Sequence, residues 1–237
     1  SVQFNNRRVI LAAQAAAWRE PVLRLAAPAT LSRLVQTLLR SLTAILIPIR
    51  LQASGLPAAE ATARLGMLNG MVMPLLMLPC VFTSALSMVA LPRIAKTEDD
   101  PRELKRLVLT CLGSCLPVAL GCTALVYLSA PVLANTVYRM AELTALFRAG
   151  APLTALFAVS HLIGAVTTAL GQQKRSMYGA VAVSGATLAM TCLLAAMPGL
   201  RLYGVIAAQA VGQVLILLWN VGILALWRKE RRSVIHA

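Results

Sequence analysis

Six apolar stretches of about twenty residues run along this chain, at positions 22–49, 67–91, 107–130, 151–170, 177–197 and 202–227. A helix rises about 1.5 Å per residue, so each stretch is long enough to cross a hydrocarbon core of about 30 Å. The pattern predicts an all-α integral membrane protein, a bundle of six transmembrane helices. Between Arg8 and Trp18 a basic start is mixed with Val9, Ile10 and Leu11, which predicts an amphipathic helix lying on the membrane surface. The expected organisation is a linker helix over 1–20, the bundle over 21–228 and a basic tail over 229–237. Residues 132–149 are too mixed to span and suit a short surface helix. The second loop carries a helix-start signature at Asp100 and Pro101, with Glu103 in the first turn, and is read as a solvated loop leading into the third span.

Within the first stretch the pattern is broken by Arg33 and Arg40. A seven-residue step places both on one helical face, with Thr30 and Thr37 on the same stripe. The two cations then stand about 10 Å apart along the axis. A cation at mid-depth in a bilayer is expensive, and it persists where it faces a bundle interior or a wet cavity. Arg24, near the start of the stretch, can snorkel to the headgroups; Arg33 and Arg40 cannot do so easily.

Composition agrees with the spans. Of 237 residues, 59% are hydrophobic and only 13% charged, against about a quarter charged in soluble domains. Mean hydropathy is +0.76. The net charge of +14 would suggest nucleic acid in a soluble protein, but here it follows from basic loops, and no nucleic-acid partner is expected. The N-terminal segment, second loop, fourth loop and C-terminus hold fourteen Lys and Arg; the alternate loops hold five, Arg50, Arg64, Arg139, Arg148 and Arg201. The positive-inside rule puts both termini in the cytoplasm, which an even number of spans permits. The first residues lack a signal peptide, and the start at Ser1 reads as internal to a longer protein.

Side chains that carry chemistry are sparse. Cys80, Cys111, Cys115, Cys122 and Cys192 all fall in apolar stretches and read as small packing residues, with no His or carboxylate in company for a metal. No Asp or Glu lies in any span, so a coupling carboxylate of the kind ion-driven pumps use is not expected in this chain. No nucleophile–base pair is recognisable either, so neither enzymatic activity nor a cofactor is expected. Asn69, Gln209, Gln213, Asn220 and His161 either line a cavity or serve as interhelical hydrogen-bond glue. Gly66 and Gly70, and the series Gly204, Ala208, Gly212, form small-residue ridges for close helix packing. Pro74, Pro79 and Pro117 should bend their spans.

The stretch Pro28-Ala29-Thr30-Leu31-Ser32-Arg33 resembles the start of the seventh helix in stage V sporulation protein B-like members of the multidrug/oligosaccharidyl-lipid/polysaccharide exporter superfamily. Leu65-Gly66-Met67-Leu68-Asn69-Gly70-Met71, running through Pro74-Leu75-Leu76 to Leu78-Pro79, is similar to the next helix, which ends in a pattern matched by Ala90-Leu91-Pro92-Arg93-Ile94. Tyr138, and the turn from Gly171 to Arg175, also fit. The resemblance implies the second of two six-helix lobes, in a bacterial plasma membrane, with an N-terminal six-helix lobe as its missing partner and the 8–18 helix as the linker between them. It further implies flipping of a lipid-linked oligosaccharide or cell-wall precursor by alternating access. An anionic polyprenyl-pyrophosphate head suits guanidinium groups, which pair with phosphate oxygens as a fork. The candidate substrate-binding residues are Arg33, Arg40, Thr37, Asn69, Gln209 and Gln213.

Two alternatives stay open. A multidrug exporter of the same superfamily, taking organic cations, would want acidic or aromatic cavity walls; this chain is 5% aromatic. A non-transporting membrane subunit would instead pair Arg33 and Arg40 with carboxylates of another chain.

Overall fold

A computed structural model describes residues 30–97, 100–197 and 199–235, with the side chains of 101 and 232–235 excepted. The 8–18 helix, Arg24, Pro28, Ala29 and the end of the tail lie outside the described residues. Among the described residues all regular structure is helical, and six helices are long and apolar enough to cross a membrane.

The first, α1 (Thr30–Ala53), stops where its sequence changes to Ser-Gly-Leu-Pro. Gly55 takes a left-handed φ of 92°, the Leu56 amide bonds back to the Leu51 carbonyl, and Pro57 forbids continuation. The chain then re-enters as α2 (Ala58–Met67), a π-helical turn (Leu68–Val72), α3 (Met73–Leu76) and α4 (Leu78–Lys96). This second crossing is broken twice, and prolines account for both breaks. Pro74 has no amide to give the Gly70 carbonyl, and its ring crowds that carbonyl, so the ladder widens into the π turn just before it. Pro79 does the same to Leu75, and the helix restarts at Leu78. By contrast, Pro117 sits inside α5 (Pro101–Val132) without interrupting it.

The start of α5 corrects the loop reading of the second connection. Asp100 caps it, accepting from the amides of Arg102 (2.9 Å) and Glu103 (3.3 Å), with Pro101 at the first turn. At its other end α5 passes into a π-helical turn (Leu133–Val137) and stops at Arg139, whose φ is +53°. The next helix, α6 (Leu143–Ala169), begins four residues later. Residues 132–149 therefore extend the flanking helices instead of forming a surface helix. A second left-handed glycine, Gly171, closes α6, with the Gln172 amide bonded to the Thr167 carbonyl. Then follow α7 (Gln173–Ala195) and α8 (Arg201–Ile235), whose 35 residues outlast a bilayer core, so the helix carries on through the basic residues after Trp227.

Packing centres on α6. It contacts α4, α5 and α8, and 56% of its apolar stretch is buried, against 11% for α1 and for α7. Two core clusters stack along it. One, at the end of the α1–α2, α5–α6 and α7–α8 connections, gathers Ile47 and Leu51 of α1 with Leu65, Leu76, Phe147 and Val205. The other, toward the opposite end, gathers Ile94, Leu104, Cys115, Leu162, Val166 and Trp227. The α7–α8 pair fits closely because of its glycines. A Cβ at Gly204 would meet the Leu194 carbonyl oxygen at 2.7 Å, and one at Gly212 would strike Thr187. Ala208 between them is fully buried. The Gly66–Gly70 ridge has open space around both positions, so it makes no close approach within this bundle.

Candidate functional site

Three faces divide α1. The packed face carries Ser32, Gln36, Leu39, Thr43 and Ile47, buried or half-buried. A second face repeats large apolar residues at 31, 34, 38, 42, 45 and 49, and all are exposed, from 46% at Leu42 to 63% at Leu31 and Leu38. The third, on the flank between them, holds Arg33, Thr37 and Arg40, also exposed. At 100° per residue, Leu38 lies about 160° around the helix from Arg40. The apolar stripe and the cationic stripe therefore address different surroundings.

Among the described residues, neither Arg33 nor Arg40 has an ion-pair or hydrogen-bond partner for its guanidinium. Nearby polar groups are satisfied within α1. The Thr37 hydroxyl donates to the Arg33 carbonyl (2.9 Å), Thr43 to the Leu39 carbonyl (2.7 Å), and the Gln36 amide to the Ser32 hydroxyl (3.3 Å). The arginines are thus left with ten N–H donors between them and no internal use for these.

The other sequence-derived residues are spread out. Asn69 is exposed in the π turn. Gln209 and Gln213 are half-buried on α8, one turn apart, and the backbone carbonyl of Gln213 accepts from the Ser160 hydroxyl at 3.2 Å. No hydrogen bond among the described residues joins Asn69, Gln209 or Gln213 to the α1 arginines, so the six candidates form a cationic pair and scattered amides, not one cluster.

Two residues that could have lined a cavity tie helices together. Asn220, 2% exposed, accepts from the Ser176 hydroxyl (2.7 Å) and donates to the Ile216 carbonyl (3.0 Å), which ties α7 to α8. His161 is exposed on α6, with its Nδ1 3.1 Å from the hydroxyl of buried Thr83, which links α6 to α4. Of the cysteines, Cys111 and Cys115 are buried in the second core cluster.

A feature that the spacing did not single out lies at the end of the bundle where α1 meets α2. A cavity of ≈ 290 Å³ opens between the end of α2, the start of α6 and the start of α8. Arg64, Glu142 and Arg201 line it together with Met67, Leu146 and Leu202. Arg64 is held at 2.7 Å by Glu60, one helical turn back. Arg201 takes a φ of +43° as α8 begins, and its Nε is buried with no hydrogen-bond partner. In the sequence these were merely isolated charges of three separate loops. The one signal was that the charge pattern along the chain puts those three loops on the same side of the bundle.

Comparison with protein-family models, with curated proteins and with solved structures finds no match to this chain.

Proposed function

We propose that this chain is one lobe of a membrane transporter that carries an anionic, lipid-linked oligosaccharide or cell-wall precursor across a bacterial plasma membrane. Both termini lie on the cytoplasmic side, and the working molecule is completed by a second six-helix lobe. The observation that carries this reading is the pair of guanidiniums on α1, unpartnered among the described residues, with Arg33 one turn from the first described residue and Arg40 near the helix middle, on a face distinct from the exposed apolar stripe. An unpaired cation turned to acyl chains is costly, whereas one turned to a wet cleft is not. A cleft between two lobes supplies the water, and a pyrophosphate head supplies the acceptors. The polyprenyl tail stays in lipid while the lobes rock, so no covalent step and no cofactor is needed.

Organic cations fit this site poorly, because its charge has the wrong sign. A second reading rests on the exposed leucines flanking the arginines: α1 docks on another membrane protein, and the arginines meet that protein's carboxylates. One experiment separates the two. In the complete two-lobe protein, reconstituted with a fluorescent polyprenyl-pyrophosphate sugar, the double substitution Arg33→Ala and Arg40→Ala abolishes flipping while membrane expression stays normal. Normal flipping in that variant refutes the substrate assignment. Lysine at either site restores less than arginine, because an ammonium cannot present the fork.

A further inference from the structure

The cavity between α2, α6 and α8 has a charge pattern that a simple anion site would not have. Arg64 is already neutralised by Glu60. That leaves two cavity-lining charges without a counter-ion among the described residues: half-buried Arg201 and exposed Glu142. Both line the same ≈ 290 Å³ space without pairing with each other. Of the amides that open α8, those of Arg201, Tyr203 and Gly204 are used by Met197 and Leu200 carbonyls and are not free for a ligand. Recognition therefore rests on side chains, one cationic fork and one carboxylate, over an apolar lining from Met67, Leu146 and Leu202.

We propose that this cavity binds a small zwitterion with a phosphate beside a primary ammonium, the phosphoethanolamine unit. Arg201 takes the phosphate oxygens, with Arg64 alongside, and Glu142 takes the ammonium. A lone phosphate satisfies the arginine but faces Glu142 with like charge. A lone ammonium does the reverse. The zwitterion satisfies both, and the apolar lining accepts the glycerol end of a phospholipid. Two sources share this chemistry, a phosphatidylethanolamine headgroup and soluble phosphoethanolamine; the position, at the end of membrane-crossing helices, favours the lipid. The site does not depend on the transport reading and uses none of its residues.

The test uses the full chain, delipidated in detergent, with thermal unfolding followed as ligand is added, since a ligand that binds the folded state raises the midpoint saturably. Short-chain phosphatidylethanolamine gives a saturable rise, and phosphatidylglycerol, which lacks the ammonium, gives a weaker one. Glu142→Gln lowers the apparent affinity for phosphatidylethanolamine by about tenfold, the loss of one charged hydrogen bond, and leaves phosphatidylglycerol unaffected or tighter. Arg201→Ala loses both ligands. Arg201→Lys keeps the charge without the fork and falls between, and it stands in if the alanine variant does not fold. Arg102→Ala, at the opposite end of the bundle, changes neither. Soluble phosphoethanolamine that matches the lipid assigns the site to a free ligand; a lipid that outperforms it assigns the site to the membrane. Equal stabilisation by the two lipids, unmoved by Glu142→Gln, or no saturable rise with any of the three ligands, overturns the proposal.

Discussion

The two ends of α1 are committed to different surroundings. From Ile47 onward the helix enters a core cluster, with Leu51 fully buried and a glycine–proline stop that turns the chain into α2. From Leu31 to Ile45 it enters neither core cluster, and five large apolar residues, Leu31, Leu34, Leu38, Leu42 and Ile45, stand exposed. Both arginines fall in that uncommitted half. The contrast with α6, apolar on nearly every side and more than half buried, is that of a helix serving the bundle against a helix serving something outside it. Buried residues that stabilise the bundle and exposed residues that the proposed function uses are thus separated along a single element, and substitutions should separate in the same way.

The largest effect on the lobe itself belongs to the buried side. Phe147→Ala, at a fully buried position where α6 meets the first cluster, costs about 3–5 kcal/mol of stability, read by thermal or denaturant unfolding in detergent. Leu38→Ala, on the exposed stripe of α1, should leave stability nearly unchanged; a comparable loss there would erase the distinction between the two halves. Next, each arginine removed from α1 should lower transport by roughly 10- to 100-fold, the equivalent of a lost hydrogen bond to a charged group, with no change in the unfolding midpoint. A transport defect accompanied by unfolding would move the arginines to the structural side.

Smaller effects sharpen the picture at the lobe's seams. Asp100→Ala removes the cap of α5 and costs about 1 kcal/mol, seen as faster amide exchange over the first turn near Arg102 and Glu103. Asn220→Ala cuts the α7–α8 tie to Ser176 and costs about 0.6 kcal/mol, the usual scale for an interhelical bond in a membrane protein.

Six helices long and apolar enough to cross a membrane were legible because length and hydropathy are written residue by residue. The ends were less legible, for a specific reason. A helix can outrun the apolar stretch when a cap or a tolerant ladder lets it: Asp100 starts α5 among charged residues, and α8 continues through Arg228 and Lys229. The prolines were readable as bends, but the register of the damage was not. Pro74 and Pro79 break the second apolar helix while Pro117 leaves α5 whole, a difference the spacing of the prolines does not announce. Arg33 and Arg40 stood out at once against their apolar neighbours. That they lack a partner among the described residues, and that the leucines occupy a separate face, needed three dimensions. The Arg64, Glu142 and Arg201 cavity was invisible for a related reason: the charge pattern puts its three connections on one side, but only the packing of α2, α6 and α8 closes a space between them.

The central claim is that the cationic stripe of α1 meets water while its leucine stripe meets lipid. Single cysteines at Arg40 and at Leu38, in the assembled protein in intact membranes, can be challenged with a charged, water-borne maleimide, with the native cysteines measured as background. Rapid labelling of Arg40→Cys, protected by the lipid-linked substrate, with Leu38→Cys unreactive, is the expected result. Equal reactivity at the two positions, or silence at Arg40→Cys, would contradict the account.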